Sequence, residues 1–192
     1  GWERANWFAP DARDPQYQYT YDKPNWFDFS KAEHNAVRNN VGLFEQSSFA
    51  KFLILGPDSE SFLNRISANN ISVDEGKIVY TQWLNERGGI EADLTITKTA
   101  NDSFMVVTSS ASQVKDFSWL CRNKNESENV EIKDITNEIG VLSLMGPNSR
   151  KLLSEITSAN LANGNFSFGT SKKIDVSNIE VRASRVTYVG EL

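Results

Sequence analysis

Phe52-Leu-Ile-Leu-Gly-Pro-Asp-Ser-Glu-Ser-Phe-Leu-Asn-Arg-Ile-Ser67 is matched in register by Leu142-Ser-Leu-Met-Gly-Pro-Asn-Ser-Arg-Lys-Leu-Leu-Ser-Glu-Ile-Thr157, with the two Gly-Pro pairs 90 residues apart. In each copy a short apolar run stops at Gly-Pro. Asp58 or Asn148 then stands where a helix cap is wanted, and Phe62, Leu63, Ile66 or Leu152, Leu153, Ile156 recur at helical spacing. The same offset lays Glu91–Ile96 onto Val181–Val186. The body therefore reads as two sibling strand-helix-strand units of about ninety residues, about 42–125 and 130–192. Units of this kind pair mixed or antiparallel sheets with helices on one face, so the expected fold class is α+β. A doubly wound parallel sheet would need a glycine-rich phosphate loop, which the chain lacks.

Around this body, residues 1–30 carry Trp2, Trp7, Phe8, Tyr17, Tyr19, Tyr21, Trp26, Phe27 and Phe29 among Pro10, Pro15 and Pro24. They follow no helical or strand period and read as an irregular aromatic arm that packs its rings elsewhere. Ser30 with Glu33 forms a capping-box pattern, which predicts a helix from about Lys31 to about Asn40. Asn101-Asp-Ser predicts a turn into a strand at Phe104–Thr108, and Gln113–Arg122 has a helix-like apolar spread. Asn123–Asn129 is polar throughout and reads as a surface loop.

The composition is that of a globular protein: 192 residues, 39% hydrophobic and 23% charged. A net charge of −5 argues against nucleic-acid partners and against an acidic membrane surface, since both select basic patches. A single Cys121 excludes an internal disulfide, and the lone His34 removes most zinc sites, so no metal is expected. No run of eighteen apolar residues and no leader pattern is present. Gly1 has no Met before it, which reads as an excised or processed piece.

The richest stretch for chemistry is Tyr80-Thr-Gln-Trp-Leu-Asn-Glu-Arg-Gly-Gly-Ile-Glu-Ala-Asp93-Leu-Thr-Ile-Thr97. A Gly-Gly turn runs into a strand whose Ile90, Ala92, Leu94 and Ile96 share one face, while Glu91, Asp93, Thr95 and Thr97 share the other. Asp93 thus points away from its strand's apolar face, where it meets either water or a cleft made by another part of the protein. Other constellations read as structural. Glu33 and His34 are adjacent on a helix and point about a hundred degrees apart. Cys121 beside Arg122 has no second thiol and reads as an inert, half-buried residue. Lys172, Lys173, Arg182 and Arg185 could hold a carboxylate but read as solvated charges.

Four blocks carry a family resemblance: Gly1-Trp-Glu-Arg-Ala-Asn-Trp-Phe-Ala-Pro10; Glu33-His34-x-Ala36-x-Arg38-x-x-Val41-Gly-Leu-Phe44; Gln46-Ser-Ser-Phe-Ala-Lys51; and Tyr80–Thr97. Together with Gly146-Pro147 and the terminal Val-Thr-Tyr188-Val-Gly-Glu191, they resemble the folate-binding portion of dimethylglycine and sarcosine dehydrogenases, which is related to the aminomethyltransferase (T-protein) of glycine cleavage. The resemblance covers essentially the whole chain and implies an aminomethyltransferase folate-binding fold, truncated at its C-terminus. It implies tetrahydrofolate as acceptor, with an iminium or formaldehyde carbon captured as 5,10-methylenetetrahydrofolate. The key acid of such enzymes maps onto Asp93, and a carboxylate there could take the proton lost on ring closure. Folate contacts carry over to Tyr80 and Phe49 as ring packers, Val107 beside them, Glu191 against the amino-pyrimidine edge, and more weakly Arg185.

FAD and its oxidising domain would belong to the same parent chain but not to this portion, which has no Gly-x-Gly-x-x-Gly and is not expected to oxidise an amine alone. The implied location is cytoplasmic in a bacterium or the mitochondrial matrix in a eukaryote. Two other readings stay open: a noncatalytic regulator resembling the pyruvate dehydrogenase phosphatase regulatory subunit, and a glycine-cleavage-type or methyl-transferring enzyme.

Overall fold

The computed structural model describes residues 5–10 and 14–187. Helix α1 (Phe27–Asn39) is followed by β1 (Gly42–Glu45), β2 (Ala50–Leu55), α2 (Ser59–Ile66), β3 (Ile78–Leu84), β4 (Ile90–Ala100), β5 (Ser103–Thr108) and α3 (Gln113–Asn123). Then come β6 (Glu131–Asp134), β7 (Leu142–Met145), α4 (Ser149–Ile156), β8 (Thr170–Val176) and β9 (Ile179–Arg185). All strand pairs are antiparallel, so the chain is α+β.

A five-stranded sheet in the order β3-β4-β5-β2-β6 forms the main layer, beside two separate two-stranded sheets, β1-β7 and β8-β9. Period two decides which face of the large sheet is buried. Phe52, Ile54, Val79, Trp83, Ala92, Leu94, Ile96, Phe104 and Val106 project to one side, where Phe62, Leu63 and Ile66 of α2 and Leu120 of α3 close over them. Phe117 of α3 meets Phe52 at 5.6 Å between ring centroids. Ile90, expected on this face, is 69% exposed because it lies at the turn, past the register shift at Trp83/Leu84. Thr97 is buried although it lies on the opposite face, since Ile78 and Met105 flank it in mid-sheet.

The ninety-residue repeat holds at the level of individual pairings. Tyr80↔Thr95 in the β3-β4 hairpin corresponds to Thr170↔Arg185 in β8-β9, and Gln82↔Asp93 to Lys172↔Ala183. The edge strands are exchanged between the units. β1 lies before the first copy but pairs with β7 of the second; β6 lies before the second copy but pairs with β2 of the first. Sequence limits at 42 and 130 therefore cut across the sheets, because hydrogen bonding joins each edge strand to the other unit.

The two Gly-Pro glycines serve this exchange. Gly56 and Gly146 both have φ +120°, and a Cβ on them would lie 2.2 Å from the Asn129 carbonyl oxygen and 2.5 Å from that of Asn40, the residues leading into β6 and β1. The next residues reinforce the contact. Asp58 and Asn148 occupy the N-cap positions of α2 and α4 but make no side-chain cap. The Asp58 carboxylate instead accepts the Asn129 N–H at 2.8 Å, and the Asn148 amide donates to the Asn40 side chain at 2.9 Å.

Two N-terminal expectations change. The capping box is not used: α1 starts at Phe27, so the Ser30 N–H already donates within the helix to the Trp26 carbonyl at 3.1 Å. The irregular arm is correspondingly shorter than 1–30. Its Trp7 stacks on Phe29 of α1 at 5.7 Å, and Tyr17 meets Trp26 at 6.0 Å, while Tyr19 and Tyr21 are fully open to solvent.

Candidate functional site

The turn between β3 and β4 sets up the site. The Asn85 side-chain oxygen accepts the N–H groups of Arg87 and Gly89 at 3.0 and 2.9 Å, and Gly88 adopts φ +77°, a left-handed conformation that costs glycine little. The turn and the register shift at Trp83/Leu84 that follows it together put Gln82 directly opposite Asp93, with Tyr80 on the diagonal. The Tyr80 hydroxyl donates to Asp93 Oδ2 at 2.9 Å, and the Gln82 amide donates to Oδ1 at 3.1 Å. One carboxylate is thus held by a donor on each oxygen, on the sheet face opposite the core, and Asp93 is exposed there.

The same face continues across the sheet. Thr95 pairs with Tyr80 on one side and Val107 on the other, and Val107 pairs with Lys51 of β2, so Tyr80, Thr95, Val107 and Lys51 form one row. Tyr80 is 61% exposed and presents a ring, Val107 is half-buried, and Lys51 is fully covered. The Lys51 ammonium donates to the carbonyls of Ser47 and Ile139 at 2.7 and 2.8 Å. Burial pushes its pKa below the ordinary lysine value, and the charges of Asp134 and Glu45 oppose that shift. Phe49 stands just before β2, partly exposed, and its N–H closes the turn onto the Gln46 carbonyl at 3.1 Å.

Of the residues the resemblance implied, the structure brings Asp93, Tyr80 and Val107 onto one sheet face; Gln82 and Lys51, which share that face, were missed. Gln82 was not legible from the turn alone: extending the Asn85–Gly89 closure would set Thr81 opposite Asp93, and the register shift at Trp83/Leu84 brings Gln82 there instead. Lys51 carried the signal of a lone charge inside an apolar strand. Arg185 is not part of this row. It lies on the separate β8-β9 sheet, and its guanidinium donates to the Phe166 carbonyl at 2.5 Å. Glu191 and Tyr188 lie outside the described residues. Cys121 is exposed rather than half-buried, because on α3 it faces away from the sheet that Leu120 packs against.

A cleft of about 530 Å³ lies elsewhere, lined by Glu60, Ser72, Asp74, Lys77 and Lys98. The Glu60–Lys98 ion pair at 2.7 Å occupies its wall, and Lys98 also sits 5.6 Å over the Phe104 ring. The Asp93 face is the stronger candidate, because there an acid, an exposed ring and two polar donors converge, whereas Glu60 and Lys98 in the cleft neutralise each other. Among the described residues no group of three or more His, Cys, Asp or Glu side chains could hold a metal ion, and no helix is long and apolar enough to cross a membrane.

An antiparallel α+β body with internally repeated hairpins, carrying an exposed Asp93 carboxylate on its open sheet face, is the architecture of an aminomethyltransferase-type domain. The chain belongs to the family described as GCVT N-terminal domain, which it matches over residues 1–192. It is 38% identical to 4-methylaminobutanoate oxidase (formaldehyde-forming) of Paenarthrobacter nicotinovorans over 192 residues, all of this chain and 23% of that protein. It is 36% identical to the mitochondrial dimethylglycine dehydrogenase of Homo sapiens over 196 aligned positions, again all of this chain and 22% of that protein. An aminomethyltransferase of Listeria monocytogenes is 36% identical over 89% of this chain and 47% of that one. Among solved structures, aminomethyltransferase T of the glycine cleavage system from Bartonella henselae aligns with a TM-score of 0.63 at 23% identity, covering 81% of this chain and 43% of that chain, and shares the fold. The chain thus spans under a quarter of the length of the oxidase and dehydrogenase relatives it matches end to end.

Proposed function

We propose that this chain is the tetrahydrofolate-binding one-carbon transfer module of an amine-demethylating flavoenzyme of the dimethylglycine or sarcosine dehydrogenase kind. Asp93 is its reacting acid. The observation that carries this reading is the Asp93 carboxylate on an open sheet face, oriented by Tyr80 and Gln82. Similarity over the whole of this chain to a formaldehyde-forming 4-methylaminobutanoate oxidase and to dimethylglycine dehydrogenase supports the flavoenzyme assignment over a free-standing aminomethyltransferase.

The face suits a flat heteroaromatic ligand. The exposed Tyr80 ring can pack on it, Val107 offers an apolar neighbour in the same row, and Asp93 offers acceptors at the edge. When bound, tetrahydrofolate would supply two nitrogens, one in the reduced pterin ring and one on the aryl-amine linker beside it, that take up one carbon between them. Each Asp93 oxygen already accepts one hydrogen bond and retains a second lone pair, so the carboxylate can accept a proton without releasing Tyr80 or Gln82. Negative charge held there also favours a cationic carbon centre beside it. Phe49 extends the ring-packing surface in this reading, and Glu191 would hold the amino-pyrimidine edge. Arg185 is committed to the Phe166 carbonyl and contributes to the fold of the second hairpin.

The test is made in the parent polypeptide. Asp93→Asn and Asp93→Ala are expected to lower 5,10-methylenetetrahydrofolate formation by roughly 10²-fold or more while amine oxidation at the flavin persists. Unchanged formation would remove Asp93 from the chemistry. Titration calorimetry with tetrahydrofolate adds a second arm, since a purely regulatory protein gives no folate heat.

A further inference from the structure

The chain contains a single Asn-Gly pair, Asn163-Gly164. The two residues form the centre of a tight turn, in which the N–H groups of Asn165 and Phe166 both donate to the Ala162 carbonyl at 2.9 Å. Both are exposed, and a Cβ on Gly164 would meet nothing within 4 Å. Arg150, in the first turn of α4, donates its guanidinium to Asn163 Oδ1 at 2.7 Å. The Gly164 N–H donates to no group among the described residues.

We propose that Asn163 is a deamidation site, at which the Gly164 amide nitrogen attacks the Asn163 side-chain carbonyl and Arg150 assists by polarising it. A bond forms from the Gly164 nitrogen to Asn163 Cγ as the Cγ–Nδ2 bond breaks, and ammonia leaves with the proton of the Gly164 amide. Solvent water then opens the five-membered imide at one or other carbonyl. The product at position 163 is an aspartate, or an isoaspartate in which the backbone runs through the former side chain.

Three features favour reaction here. Glycine carries no side chain to crowd the approach of its own nitrogen. The guanidinium already donates to the oxygen on which negative charge builds up during attack. Ring closure also needs rotation about the Asn163 Cα–C bond, and the two turn hydrogen bonds that resist it lie at the surface, where local opening costs little. Asn148-Ser149 supplies the contrast within the same chain. Asn148 is exposed too, but the Ser149 N–H is committed to the Gly146 carbonyl at 3.1 Å, and Ser149 is buried at the start of α4.

The modification reaches the junction between the two units. Gly164, Asn165 and Phe166 line, with Lys77 and Lys172, a cleft of about 210 Å³ beside the Lys77↔Thr170 bridge, which ties the start of β3 to the start of β8. Lys172 donates to the Asn165 carbonyl at 3.2 Å, and Arg185 donates to that of Phe166. Aspartate at 163 keeps Arg150 as an ion-pair partner. Isoaspartate lengthens the backbone just ahead of those two carbonyls and loosens their hold on the β8-β9 hairpin.

Peptide mapping of the parent polypeptide after incubation in mildly alkaline buffer tests the site, with an isoaspartyl methyltransferase to score isoaspartate. Asn163 is expected to deamidate at least about tenfold faster than Asn148, and Gly164→Ala to slow it roughly tenfold or more. Gly164 lies outside the left-handed region and has open space around it, so the alanine fits the fold. Arg150→Leu should slow the reaction about threefold in the folded protein and not at all in urea. Asn163 left intact while Asn148 reacts overturns the proposal, as does an equal rate in Gly164→Ala. An Arg150→Leu rate that matches wild type in the folded protein overturns it as well. The reaction requires no folate, so its outcome is independent of the role of Asp93.

Discussion

Gly56→Ala is expected to be among the most damaging single-methyl changes in the chain, and its cost can be separated into two parts. The first is backbone conformation: φ +120° lies where L-residues are strained, at about 1–3 kcal/mol. The second is close approach. The new Cβ would sit 2.2 Å from the Asn129 carbonyl oxygen, roughly 1 Å inside an ordinary contact, and both are backbone positions next to the paired strands β2 and β6. Relief requires β6 to move away from β2, straining the Phe52↔Asp134 to Leu55↔Glu131 ladder and the Asp58 bond to Asn129. Together these should cost about 4 kcal/mol, a urea midpoint shift of about 1.5 M for a slope between 2 and 3 kcal/mol/M. Gly88→Ala is the control: φ is +77°, but nothing lies within 4 Å of the added methyl, so only conformational strain of about 1 kcal/mol remains. Urea unfolding followed by tryptophan fluorescence measures both. If the two variants shift the midpoint equally, the close packing of Gly56 on the strand exchanged from between the repeats is refuted.

Lys51→Met removes a buried ammonium and leaves the Ser47 and Ile139 carbonyls without their donor, so it should destabilise the chain by about 2–4 kcal/mol despite the apolar gain; a loss under 0.5 kcal/mol in chemical denaturation would contradict this. Hydrogen bonding from Lys98, then from Ser72, holds the Glu60 carboxyl below its ordinary value. A depressed acid contributes stability that is fully present above its unfolded pKa, near 4.3, and is lost as pH falls through the folded value. Melting curves of wild type and Glu60→Gln should therefore differ at pH 7 and converge in strong acid; a gap that widens in acid would show the opposite sign. Tyr80→Phe leaves exposed packing intact, so stability should change by less than about 0.5 kcal/mol while methylenetetrahydrofolate formation in the parent falls, and the same split is expected for Gln82→Leu. Loss of stability without loss of transfer would make both residues structural.

Much of the architecture is written locally. The repeat at 52–67 and 142–157 announces two strand-helix pairs because the run before each Gly-Pro and the apolar spacing after it are short-range patterns, and β2, α2, β7 and α4 lie where those patterns place them. Period two likewise decides that Asp93 turns away from Ala92, Leu94 and Ile96, since alternation is a property of a single strand. Helix α1 shows the limit of local signals: Ser30 and Glu33 form a good cap, but the chain is already helical from Phe27 and the orphan N–H groups lie further upstream.

What the tertiary structure alone decided is which backbone joins which. β1 and β6 resemble ordinary edge strands in sequence, and only hydrogen bonding across about a hundred residues shows that each completes the other unit's sheet. Pairing partners also convert Asp93 from one acid on a polar face into a carboxylate gripped by Tyr80 and Gln82 and aligned with Val107 and Lys51. The physical reason is separation of scales. Propensity and alternation act over a few residues and are legible in the chain, whereas a functional face is assembled by register between strands and by the closure of long loops, which single segments do not encode.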